Sequence, residues 1–142
     1  MDGFERGKIK QASAIPYRYM GGAVEFCLIT SVKRGRWGVP KGIIDPGETA
    51  EETALKEAQE EAGLHGRIVS DVVGRYEYRK WGSKLVVSVF LMEVSHAAEQ
   101  WLEDEIRQRC WCTAEEALEL IDRAELIDIF EFAVAEIARK PM

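Results

Sequence analysis

The stretch 42–64 reads GIIDPGETAEETALKEAQEEAGL and places Glu57, Glu60 and Glu61 close together. On a helix advancing 100° per residue they fall at about 0°, 300° and 40°, within one third of the circumference. Ala54, Leu55, Ala58 and Ala62 fall beside that arc, between about 60° and 160°. Such a helix buries one stripe and presents three carboxylates along its edge. Like charges at these spacings repel by roughly a few tenths of a kcal/mol per exposed pair, and by more in a cleft. A divalent cation removes the penalty. Clustered carboxylate oxygens suit Mg²⁺ or Mn²⁺, which keep some water and complete their shell with substrate phosphate. A solvated acidic face is the plain alternative, and three glutamates alone do not exclude it.

These side chains need a scaffold. Thr49 with Glu52 forms a capping box that opens the helix, and Gly63 ends it. Thr113 with Glu116 opens a second helix in the same way, TAEEALELID. A third, over 124–139, repeats apolar residues at Leu126, Phe130, Ala133, Val134 and Ile137. Residues 8–19 and 23–31 read as strands joined at Gly21-Gly22. Residues 66–79 read as one arm of a long hairpin that turns at Trp81-Gly82-Ser83, and 107–112 as a last short strand. AVEFCLITSV (23–32) and LVVSVFLMEV (85–94) are apolar on both faces, as in strands covered on both sides. The expected fold is α/β: a mixed sheet between helices.

A chain of 142 residues and 16.1 kDa fits one domain spanning 1–142. Hydrophobic residues at 46% and charged residues at 31% exclude a wholly disordered chain. No apolar run approaches the length of a membrane-spanning helix, and MDGFERGKIK lacks the apolar stretch of a signal peptide. Three cysteines, an odd number, argue against a disulfide framework. Cys110 and Cys112 share a strand face as core or half-buried thiols, since His65 and His96 leave few soft ligands for zinc. A reducing cytoplasm is the expected compartment.

The net charge of −6 is unevenly spread: residues 1–41 carry +5, 42–96 carry −4 and 97–142 carry −7. The negative total speaks against indiscriminate nucleic-acid binding, and no nucleic-acid or membrane partner is expected. Basic residues gather at Lys33-Arg34-Gly35-Arg36 and at Arg79-Lys80-Trp81-Gly82-Ser83-Lys84. These are either two solvated turns or a grip on a small polyanion.

The stretch 42–64 resembles the Nudix box: G, five residues, E, seven residues, then R-E-U-x-E-E-x-G-U, where U is bulky and apolar. Gly42, Glu48, Glu57, Glu60, Glu61, Gly63 and Leu64 match. The six Gly and Glu positions would coincide by chance in roughly one window in 10⁷. Two positions depart from the pattern: Lys56 replaces the usual Arg, and Ala58 is smaller than the usual apolar residue. The resemblance implies an α/β/α sandwich and a metal-dependent hydrolase of a diphosphate linkage. A cation offsets the phosphate charge that repels an attacking hydroxide and acidifies water, and one carboxylate stays free to take the proton.

By the same resemblance Glu57 and Glu61 are metal ligands, joined by the backbone carbonyl of Lys41. Glu60 is ligand or general base, and Glu103 in the loop Trp101–Glu105 competes for the role of base. In the family the box Arg ties its helix to the glutamate at Glu48, so Lys56, without the planar fork, is expected to tie more loosely. Gly42 lets main chain approach the ion, and Gly47 after Pro46 suits a turn of positive φ.

Arg36-Trp37-Gly38-Val39-Pro40-Lys41-Gly42 and Arg107-Gln108-Arg109-Cys110-Trp111 look like the branch that includes diadenosine polyphosphate and diphosphoinositol polyphosphate hydrolases. By that likeness Lys33, Arg34, Arg36, Arg79 and Lys80 hold phosphates. Trp37, Tyr76, Tyr78 and Trp81 are candidates to stack on an adenine. The expected substrate is a small polyphosphate with three or more phosphates. Oxidised nucleoside triphosphates and capped RNA are rivals within the family, and a non-catalytic binding module is the rival outside enzymology. Oligomeric state is left open.

Overall fold

The computed structural model describes residues 8–140. Residues 1–7 of the opening stretch MDGFERGKIK, in which no signal peptide is expected, lie outside them. An eight-stranded mixed sheet stands between one helix on one face and two on the other. Its centre is β7 (Ser83–Ala97), paired in parallel with β1 (Lys8–Met20). Along the other edge of β7 run β5 (Leu64–Ile68) and β6 (Gly74–Lys80), both antiparallel. β1 pairs with β2 (Ala23–Thr30) and with β4 (Lys41–Ile43), while β2 pairs with β3 (Trp37–Gly38) and β8 (Arg109–Cys112).

Each helix covers a distinct core. α1 (Ala50–Ala62) lays Ala54, Ala58 and Ala62 on Ala12, Ala14, Phe90 and Met92. All three alanines are fully buried, and their small side chains let the helix axis approach the sheet closely. The small residue at 58 is thus a packing choice. On the opposite face α2 (Ala114–Leu120) and α3 (Ala124–Ala138) bury Ala117, Leu126, Phe130 and Ile137 against Ile15, Tyr17, Phe26 and Val89. Phe130 and Phe26 meet with ring centroids 4.9 Å apart. The expected sandwich is borne out.

Both capping boxes form, with reciprocal bonds between Thr49 and Glu52 and between Thr113 and Glu116. Gly63 closes α1 in the left-handed region at φ 68°. The arm expected over 66–79 is corrected: it is two strands, because the Ser70 hydroxyl and residues 69–73 bridge to β7 without continuous pairing. β3 and β4 escape sequence reading, since two and three residues carry no periodicity. The cysteines are free, with Cys27 and Cys112 buried and Cys110 half-buried.

Candidate active site

α1 projects Glu57 and Glu61 toward β4, where the Lys41 amide donates to Glu61 Oε1 at 3.2 Å. The Glu57 carboxylate lies against the next residue, Gly42, so both carboxyls flank the same point of β4. Gly42 makes the approach possible, because a Cβ there would overlap the Glu57 carboxylate. Burial, ahead of the Glu57 charge, pushes the Glu61 carboxyl up to about 8, with Arg107 opposing. Burial also raises Glu57. Two adjacent, poorly hydrated carboxylates are an unstable pair unless protonated or bridged by a cation.

The loop after β7 brings Glu103 to the same place. Trp101 Nε1 donates to the Glu61 carbonyl at 2.9 Å, the Glu103 amide to the Glu60 carbonyl at 3.2 Å, and Arg109 Nη1 to the Ala62 carbonyl at 2.7 Å. These donors fill the orphan carbonyls at the end of α1, whose last turn has no basic residue of its own. Arg109 also lies 4.1 Å over the Trp101 ring, and a Cβ on Gly63 would meet that ring at 2.9 Å. Arg107, anchored on the Thr30 carbonyl at 2.9 Å, then binds Glu103 at 2.6 Å and lies 3.4 Å from Glu61. The charges of Glu60 and Glu103 add to the rise of the Glu57 carboxyl.

Glu48 stands behind this group. Lys56 Nζ reaches Glu48 at 2.8 Å and Asp45 at 3.1 Å, and Thr53 Oγ1 donates to Glu48 at 2.8 Å. Bonds from Lys56 first, then Thr53, hold the Glu48 carboxyl below its usual range, and the Lys56 ammonium is raised in turn. The lysine therefore makes the expected loop-to-helix tie through two single bonds.

The predicted basic residues are partly gathered. Lys33 and Arg34 lie exposed in the turn after β2, and Arg36 pairs with Asp122 at 3.0 Å. Arg79 and Lys80 sit exposed at the end of β6. Sequence reading gave no site role to Arg107, which lies 3.4 Å from Glu61, to Arg123 or to the Lys41 side chain. Burial first, then the charge of Arg123, holds the Lys41 ammonium below its usual range, and that ammonium lies 5.7 Å from the Tyr78 ring. Arg123 covers the Tyr78 ring at 4.3 Å, and Tyr78 donates to Gln11 Oε1 at 2.8 Å. No periodic signal marks Arg107 or Arg123, because each reaches the site from the end of a loop.

Paired carboxylate oxygens beside main chain fit a hard dication such as Mg²⁺ or Mn²⁺. Among the described residues no three His, Cys, Asp or Glu side chains form a ready-made metal cluster.

This helix-borne carboxylate pair, set in an α/β/α sandwich, carries the box spacing read above. The NUDIX domain model matches residues 12–131, and the chain belongs to the Nudix family. It is 35% identical over 123 residues to Nudix hydrolase 21, chloroplastic, of Arabidopsis thaliana, covering 82% of this chain and 62% of that protein. It thus spans under two thirds of that relative's length. It is 30% identical over 122 residues to the asymmetrical bis(5'-nucleosyl)-tetraphosphatase of Caenorhabditis elegans, covering 83% of this chain and 88% of that protein. A crystal structure of a C. elegans Ap4A hydrolase binary complex superposes with a TM-score of 0.80 at 29% identity, over 92% of this chain and 98% of that one. No helix among the described residues is long and apolar enough to cross a membrane.

Proposed function

We propose that this protein, as a single domain over 1–142, hydrolyses a phosphoanhydride bond in a nucleoside- or inositol-linked polyphosphate, with a dinucleoside polyphosphate as the favoured substrate. The observation that carries this reading is the pair of half-buried Glu57 against Gly42 and buried Glu61 on the Lys41 amide, with Glu61 pushed up to about 8. The C. elegans tetraphosphatase, similar over most of both chains, favours the dinucleoside substrate.

When bound, Mg²⁺ or Mn²⁺ offsets phosphate charge and makes water a stronger acid. Glu57, Glu61 and the Lys41 backbone would hold the ion, and Glu60 would be a further ligand or the base that takes the proton from attacking water. Glu103 is the alternative base. Its pairing with Arg107 at 2.6 Å holds its lone pairs, which leaves Glu60 the freer carboxylate. Lys41 and Arg123, gathered at the Tyr78 ring, with Lys80 supply positive charge for the anionic chain. Lys33, Arg34, Arg36 and Arg79 extend the attraction outward and raise the on-rate. Three free thiols accord with the proposed cytoplasmic location.

Phosphorus NMR of products formed in ¹⁸O-water from diadenosine and diphosphoinositol polyphosphates tests the reading. Label on one product phosphate of diadenosine tetraphosphate, dependent on added Mg²⁺ or Mn²⁺, is the expected result. Turnover of the inositol substrate alone reassigns the substrate. Turnover of neither, in either metal, ends the case.

A further inference from the structure

The chain has two histidines, His65 and His96, far apart in sequence. The fold sets them directly opposite one another, His65 on β5 and His96 on the antiparallel β7. Their ring centroids are 5.7 Å apart, with the planes tilted by 35°. Both residues are exposed.

The neighbouring rungs fix the face they share. Leu64 and Ala97, one step along, turn into the core beneath α1. Alternation therefore turns His65 and His96 to the other face of the sheet, away from α1 and its carboxylates. A bulge follows at once, between His65 and Gly66, where a Cβ on Gly66 would overlap the Glu93 carbonyl. Bulges bend a strand and re-aim its side chains. Beyond the bulge Arg67 stands opposite Glu93 and closes on it as an ion pair at 2.9 Å.

An ion bound to an imidazole nitrogen at about 2.0–2.1 Å lies roughly 3.2 Å from the ring centre, so two rings sharing one ion have centroids about 5–6.4 Å apart. The observed 5.7 Å falls within that range. Neutral imidazole suits Cu²⁺, Ni²⁺ and Zn²⁺, whereas Mg²⁺ prefers oxygen. Cys110 and Cys112 take no part, since β8 is separated from β7 by β2 and β1. From sequence the histidines are too few to build a zinc site with the thiols; the strand register makes them a chelating pair on their own.

We propose that His65 and His96 form a site for a borderline first-row dication (Cu²⁺, Ni²⁺ or Zn²⁺), distinct from the carboxylate site on α1, with water filling the remaining positions. The ion bridges β5 to β7. Beside that bridge the Ala98 amide donates to the Gly63 carbonyl at 2.8 Å, so the strand being pinned is the one that leaves α1. An ion held by the folded pair and not by the unfolded chain stabilises the fold by mass action.

The test is calorimetric titration of the full chain with Cu²⁺, Ni²⁺ and Zn²⁺, against a background of millimolar Mg²⁺ to saturate oxygen sites. A single ion per chain is expected, held tightest for Cu²⁺. His65→Gln and His96→Gln should each weaken binding on the order of tenfold or more, because either change removes chelation. Each should also abolish the rise in Tm that the ion gives wild type. Electron paramagnetic resonance of the Cu²⁺ complex should show coupling to two imidazole nitrogens in wild type and to one in either variant. Circular dichroism checks that the variants fold, and the wild-type spectrum stands without them. No binding by wild type overturns the proposal, as does affinity that survives either variant, binding of two independent ions, or a Cu²⁺ spectrum without two imidazole nitrogens.

Discussion

Gly42 lies directly against the Glu57 carboxylate, in the space a Cβ would fill. Main chain and acid therefore meet across β4 and α1 with no side chain between them. Gly42→Ala should push Glu57 out of line with Glu61 while leaving the fold intact. The expected loss in kcat/KM is on the order of 10², the scale for a misplacement of about 1 Å in a catalytic constellation. Steady-state kinetics beside circular dichroism checks it, and full activity would show that Glu57 needs no close main-chain contact.

The choice of proton acceptor separates Glu60 from Glu103. Glu60→Gln should lower kcat by roughly 10²–10⁴ at saturating metal. Glu103→Gln should cost less, since it removes a partner of Arg107 without removing the freer base. Unchanged turnover in Glu60→Gln would transfer the role to Glu103 or elsewhere.

Lys56 holds Glu48 and Asp45 through separate single bonds of one ammonium. Arginine would offer a planar fork to Glu48. Lys56→Arg should tighten Mg²⁺ binding by about twofold to threefold, the yield of one better surface ion pair. Titration of metal affinity decides it, and no tightening discards the loose-tie idea.

Stability should depend on pH and metal together. The Glu61 carboxyl sits at about 8 in the fold against an ordinary 4.5, so the folded state favours its protonated form. Its stabilising contribution is present below pH 4.5 and is lost as pH rises toward about 8. Metal binding requires the ionised pair and stabilises by mass action. The rise in Tm on adding millimolar Mg²⁺ should therefore be small near about pH 5 and largest near about pH 8. Glu61→Gln should flatten the metal-free pH slope. An equal Mg²⁺ increment at both pH values would contradict the assignment of Glu61 as a ligand.

Much of this molecule is written in local pattern. The capping boxes at Thr49 and Thr113, the stop at Gly63 and the doubly apolar run in β7 follow from backbone hydrogen bonding and hydrophobic period, which act within a few residues. The convergence of Glu57 and Glu61 is also local, one turn apart on one helix. What local pattern does not contain is who satisfies the end of that helix. Trp101, Glu103 and Arg109 do so from about 40 residues away, and that contact sets Glu103 and Arg107 beside the carboxylates. Likewise Arg123 and the ammonium of Lys41 become neighbours only when α3 and β4 are laid on the sheet. The helix and its acids come from short-range chemistry. The burial that raises Glu61 and the Arg107 guanidinium beside it come from packing, because charge and desolvation act through space and not along the chain.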